Sequence, residues 1–141
     1  MDNHFHVYVR TPQPNLSEGM HDFKGGYATL FNRRHQRVGP LFQGRFHGVL
    51  VESDTHAWEL SRYVHLNPVR GGLADDPGKY LWSSFHYYLS SADAPRWLDW
   101  TTVLAEFAGT EAAARVAYRR FVLAGVANPP ESPFADVVDG W

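Results

Sequence analysis

Cysteine is absent from this 141-residue chain, which removes disulfides, thiolate nucleophiles and cysteine-held zinc from consideration. A metal, if one is used, must be held by histidine, carboxylate or side-chain amide. Long apolar runs are missing as well. No stretch approaches the ~20 apolar residues a membrane span needs, and no charged segment followed by an apolar core reads as a secretory signal. The expectation is a cytoplasmic protein with no membrane partner. A net excess of charge is also lacking: thirteen Lys/Arg against fifteen Asp/Glu leave −2, which alone does not mark a nucleic-acid binder. With 44% hydrophobic residues the chain can bury a core, and its length fits one domain with a small appendage.

Acid is scarce locally where it matters more. Between Phe23 and Val51 there is no Asp or Glu, while Lys24, Arg33, Arg34, Arg37 and Arg45 fall there, interleaved with Tyr27, Phe31, Phe42 and Phe46. Cations for phosphates and aromatic faces for unstacked bases are what a single-strand-binding surface requires, although a solvated basic face over core aromatics has the same composition. Residues 1–70 carry eight Lys/Arg against six Asp/Glu and seven of the eight histidines, so the two halves of the chain differ in kind.

Two of those histidines open the chain in Asn3-His4-Phe5-His6-Val7-Tyr8-Val9. Alternation on a strand would put His4 and His6 on one face and Phe5, Val7 and Val9 on the other, a two-imidazole claw that still needs a third ligand. Leu16, Met20, Phe23, Tyr27 and Leu30/Phe31 then recur at steps of three and four, predicting a helix capped by Asn15 and reaching about His35, with Gly25-Gly26 as a kink or close approach. Val49-Leu50-Val51 reads as a buried strand running from Phe46. Ser53 or Asp54 starts a helix whose inward stripe is Ala57, Leu60 and Val64 and which Asn67-Pro68 is expected to end. Tyr63 and Asn67 lie four apart on it and so face together. Beyond the acidic turn 75–78, Trp82 to Leu89 reads as a short aromatic helix. Residues 90–95 read as a linker, 97–135 as a small helical pair with Thr110 as a cap, and 127–141 as a tail with one short turn.

A phenol with a pKa of roughly 10 is a poor nucleophile at neutral pH, but a divalent cation on the target phosphate draws charge from phosphorus and holds the group in line. That chemistry asks for a claw, a facing tyrosine and a third ligand one turn away. His4 with His6, Tyr63 and Asn67 supply these residue types.

Asn3-His4-Phe5-His6, Phe31-Asn32-Arg33-Arg34-His35, Leu41-Phe42-Gln43-Gly44-Arg45-Phe46, Tyr63-Val64-His65-Leu66-Asn67-Pro68-Val69-Arg70 and Trp82-Ser83-Ser84-Phe85, in this order, resemble the REP-associated tyrosine transposases of the single-tyrosine HUH superfamily. The resemblance covers residues 1 to about 90, and 97–135 is similar to the helical extension many members carry. It implies an α+β fold, a ferredoxin-like antiparallel sheet with helices. It also implies cleavage and joining of single-stranded, hairpin-associated DNA through a 5′-phosphotyrosine on Tyr63, with His4, His6 and Asn67 holding Mg²⁺ or Mn²⁺. Nucleoid association follows from the same resemblance, and a homodimer fits it. Members carry some tens of residues ahead of the His-hydrophobe-His strand, so by this comparison the N-terminal part of the sheet is missing and the site is incomplete without it. Arg33, Arg34, Arg37 and Arg45 are the phosphate-contact candidates on physical grounds. Two alternatives stay open: a DNA-hairpin-binding remnant without catalysis, and an unrelated hydrolase using His4 and His6 with water. The other histidines, His65 among them, read as surface or packing residues.

Overall fold

The computed structural model describes residues 1, 3–51, 53–107 and 109–132, and among them there are helices but no strand. The helices are α1 (Leu16–Arg34), α2 (Asp54–Arg70), α3 (Phe85–Leu89), α4 (Thr101–Leu104) and α5 (Glu111–Ala127), with a 3-10 turn at Pro77–Lys79 between α2 and α3. The expected ferredoxin-like antiparallel sheet is therefore not the fold: the described chain is all-helical. The physical reason lies in pairing. A strand is stabilised by a paired neighbour and by burying one face, and among the described residues neither 4–9 nor 46–51 forms a strand ladder. Val7, Val9 and Leu50 remain 54%, 49% and 79% exposed, so the alternation that reads as β in sequence has no layer to pack on.

The chain divides into two compact units, one made of 1–8 with 49–141 and the other of 9–48. In the first, α2 packs along α5, and α3 and α4 also pack on α5. Their core is Leu66 from α2, Phe85 and Tyr88 from α3, Val103 and Leu104 from α4, and Ala114, Tyr118 and Val122 from α5. The segment expected as a separate helical extension thus shares one core with the tyrosine helix. Residues 133–135 of that expected extension, and 133–141 of the expected tail, lie outside the described residues. No described helix is long and apolar enough to cross a membrane.

Capping fixes the helix starts. The Ser53 hydroxyl accepts from the His56 backbone N–H and that of Thr110 from Ala113, as the sequence signals imply. Asn15 stands at the start of α1, but its side chain makes no cap bond. Asn67-Pro68 does not end α2, which continues to Arg70. Proline removes only the N–H that would serve Val64, and the last turn is secured beyond it by Gly71 N–H to Asn67 O at 2.8 Å and Leu73 N–H to Pro68 O at 2.8 Å.

At Gly125 α5 comes close to α2: an added Cβ would lie 2.6 Å from Leu66 Cδ1 and 3.1 Å from Arg62 Cδ. Leu66 is 1% exposed and cannot swing away. Gly125→Ala is expected to lower stability by about 1–3 kcal/mol, through overpacking, in urea denaturation. An unchanged midpoint would show that the two helices can separate freely at this crossing.

In the second unit, Tyr27 and Phe31 of α1 lie 6.0 Å apart, and Phe42 lies 6.1 Å from Tyr27. Lys24 Nζ donates to Gly44 O at 2.8 Å and sits 5.2 Å from the Phe42 ring, tying the loop to the helix. Gly44 holds a φ of +64°, a conformation that favours glycine and lets the chain turn back toward α1. Gly25 and Gly26 make no close approach, since a Cβ at either would meet nothing within 4 Å.

Candidate active site

The site is assembled on α2. Tyr63, Asn67 and Arg70 fall at i, i+4 and i+7, one face over two turns. On that face Tyr63 and Asn67 are 7% and 8% exposed. Residues 1–8 belong to the same unit, and His6 meets Tyr63 edge-on with ring centroids 5.6 Å apart. His4 meets His6 edge-on in turn, at 5.1 Å. The two imidazoles are thus neighbours, as the alternation implies, although no strand holds them.

His4 Nδ1 lies 2.7 Å from Asn3 Oδ1; if it donates to that oxygen, its Nε2 is left to act as an acceptor. Burial first, and the adjacent His4 second, hold His6 below the ordinary histidine pKa. A half-buried ring kept neutral in this way can ligate a metal at physiological pH.

Asn67 completes the group. It lines a cleft with Phe5 and His6, and its Nδ2 is buried with no hydrogen-bond partner among the described residues. A buried amide left unsatisfied costs about 1–3 kcal/mol. No three His, Asp or Glu side chains converge among the described residues, so His4 and His6 would need a further oxygen donor to hold a cation, for which Asn67 is the residue expected from the sequence. Asn67 lines the cleft beside His6, and only its Oδ1 could ligate, since the unpartnered Nδ2 is an N–H donor. His4, His6 and Asn67 are the residues that would hold Mg²⁺ or Mn²⁺ under the resemblance.

The tyrosine has further neighbours that sequence reading missed. The Arg70 guanidinium lies 5.0 Å from the Tyr63 ring centroid and donates to Pro130 O at 2.9 Å. The Tyr63 hydroxyl meets Ser132 Oγ at 3.3 Å. Arg70 was legible in principle, seven residues beyond Tyr63 on a helix. Ser132 was not, because its approach follows from the packing of α5 on α2.

Arg33, Arg34, Arg37 and Arg45 lie in the other compact unit, apart from this group in the division of the chain, and all four are exposed. Arg37 lies 5.9 Å from the Phe31 ring centroid. None of the four is held by a carboxylate among the described residues.

His65, two residues from Tyr63, behaves as a packing residue. It is 2% exposed, with Nδ1 2.6 Å from Tyr118 Oη and Nε2 3.0 Å from Ser84 Oγ, and Tyr118 Oη in turn shares a short hydrogen bond with Ser61 Oγ. Burial, with a smaller contribution from His86, pushes its pKa down to about 3. The ring is neutral and braces α2 against α3 and α5.

No family model, curated protein or solved structure matches the chain.

Proposed function

We propose that the chain cleaves and rejoins single-stranded, hairpin-associated DNA through a covalent tyrosine intermediate, the activity of the REP-associated tyrosine transposases its motifs resemble. The observation that carries this reading is the grouping of His4, His6 and Tyr63 in successive edge-on contacts, with the unsatisfied Asn67 amide one turn along the helix.

In the forward step Tyr63 Oη attacks the scissile phosphorus. The P–O3′ bond breaks, the tyrosine gives up its proton, and the 3′ oxygen takes one up and leaves as a hydroxyl. The 5′ phosphate stays on Tyr63 as a phosphodiester, so bond energy is retained and a second 3′-hydroxyl can reverse the step. Arg70, lying over the phenol, places a fixed positive charge where phosphate oxygens gather negative charge. A divalent cation, when bound by His4, His6 and Asn67, supplies charge withdrawal from phosphorus. Arg33, Arg34, Arg37 and Arg45 supply sequence-independent phosphate contacts, which makes binding salt-dependent.

One observation favours a second reading, hairpin binding without cutting: Tyr63 is 7% exposed and its hydroxyl already meets Ser132. The test is incubation of the chain with end-labelled single-stranded hairpin DNA and Mn²⁺, followed by denaturing electrophoresis. The expected result is a labelled band at the mass of protein plus cleaved strand, absent with chelator. Salt-sensitive binding with no such band supports the second reading. Cut DNA with no protein-linked label supports hydrolysis by water.

A further inference from the structure

α1 carries an apolar stripe that the chain leaves open to solvent. Leu16, Met20, Phe23, Tyr27 and Leu30 follow one another at alternating steps of four and three, so they keep to one side of a helix of 19 residues, about 28 Å long. Such steps average 3.5 residues, the period of a seam between two helices that wind around each other. Yet α1 has no buried residue: Leu16 is 38% exposed, Phe23 54%, Tyr27 50% and Leu30 68%. The loop after the helix lies along a neighbouring side, where Lys24 donates to Gly44 O and Asn32 Nδ2 to Gly39 O, and it touches the stripe at Tyr27 through Phe42. An exposed apolar stripe of this length marks an interaction surface.

What flanks the stripe points to the occupant. Gly19 and Gly26, seven residues apart, border it on the side away from Lys24, and a Cβ at either would meet nothing within 4 Å. Glycine is disfavoured inside a helix, and here it leaves bare backbone that a second helix can approach closely. Charge is also uneven along α1. Glu18 and Asp22 fall in its first two turns and Arg33 and Arg34 in its last, and none of the four is in an ion pair among the described residues. A helix with the same charges running the opposite way sets acid against base at both ends and opposes the two helix dipoles. Running the same way it would set like against like. The helix is thus complementary to itself, in the antiparallel sense.

We infer that α1 is a dimer seam, pairing antiparallel with α1 of a second copy of the chain about a two-fold axis near Gly25, the midpoint of the helix. In that register Met20 of each copy lies opposite Leu30 of the other, and Phe23 opposite Tyr27, so a single stripe supplies both halves of the interface. The seam belongs wholly to the unit made of 9–48 and stands independently of the reading of Tyr63.

Sedimentation equilibrium of the full chain tests the association. The mass is expected to rise with concentration from 16.0 kDa toward twice that value. Leu30→Glu sets a carboxylate in the seam at two symmetric places while altering no buried position. It is expected to weaken the dimer at least about a hundredfold, with helix content by circular dichroism unchanged. Val116→Glu, on α5 at a side chain 71% exposed, is expected to leave the dimer as it is. A mass of 16.0 kDa at every concentration up to about 1 mM, or a dimer that Leu30→Glu weakens no more than Val116→Glu, would overturn the assignment. Because the chain has no cysteine, single substitutions read the direction of the helices. Under mild oxidation Gly26→Cys, beside the axis, is expected to link two chains. Gly19→Cys is not, since the antiparallel register sets the two copies of position 19 about 18 Å apart along the seam, beyond the reach of a disulfide. Any other pattern of linking, including the linking at both positions that parallel helices would give, would overturn the register.

Discussion

Tyr63→Phe is expected to abolish the covalent protein–DNA product, lowering its rate by at least about 10³-fold, while leaving hairpin affinity within a few-fold of the parent. The substitution removes one oxygen. The ring keeps its edge contact with His6 and its place beneath Arg70, so folding and the neighbouring charges are retained. The hydroxyl's contact with Ser132, at 3.3 Å, is a long hydrogen bond. A large loss of product with preserved binding and thermal stability therefore isolates the nucleophile. Product formed at the parental rate would assign the chemistry to another group. His6→Ala is expected to show a different pattern, with residual activity that rises at high Mn²⁺ concentration, because it removes a ligand and leaves the nucleophile.

Acid is expected to unfold the chain through His65. The ring is fully enclosed by Phe85, Tyr88 and Tyr118, and its folded-state pKa of about 3 lies far below the ordinary value near 6.5. Because the folded value is the lower one, the unfolded chain takes up the proton first. The stability contributed by the neutral ring is complete above pH 6.5 and is lost as pH falls toward 3. At about 1.4 kcal/mol per pH unit, the loss is about 2 kcal/mol between pH 6.5 and 5, and on the order of 4–5 kcal/mol over the whole window. Urea unfolding at a series of pH values reads this slope directly. His65→Phe fits the same aromatic surroundings but leaves Tyr118 and Ser84 short of a partner. It is expected to be less stable at pH 7.5 by roughly 1–3 kcal/mol and to lack that part of the slope. An identical slope in both proteins would place the acid sensitivity elsewhere.

The contrast between α2 and the expected sheet shows what local sequence carries. Periods of three and four from Leu16 to Phe31, and the cap residues Ser53 and Thr110, are local signals, and α1, α2 and α5 start where those signals fall. The spacing of Tyr63 and Asn67 is equally local and survives as a shared face. A sheet is different in kind. The alternation from His4 to Val9 and the β-branched run at Val49 describe half of a pairing, and the other half must come from a distant segment. The shared core of α2 with α3 to α5 was hidden for a similar reason: the Ser90 to Pro95 stretch reads as a linker, yet Leu66 and Tyr118 meet across it. Ser132 was visible as a residue, but its relation to Tyr63 arises only once α5 and the chain that follows it are packed on α2.

The most direct measurement is tandem mass spectrometry of the trapped protein–DNA product after nuclease digestion to a nucleotide remnant. The expected result is a 5′-linked nucleotide on Tyr63 and on no other residue, formed with Mn²⁺ and missing with chelator. A remnant on Tyr8, Tyr27, Tyr80 or any other side chain, or cut DNA with no modified residue at all, would contradict the assignment of the site built from His4, His6, Tyr63 and Asn67.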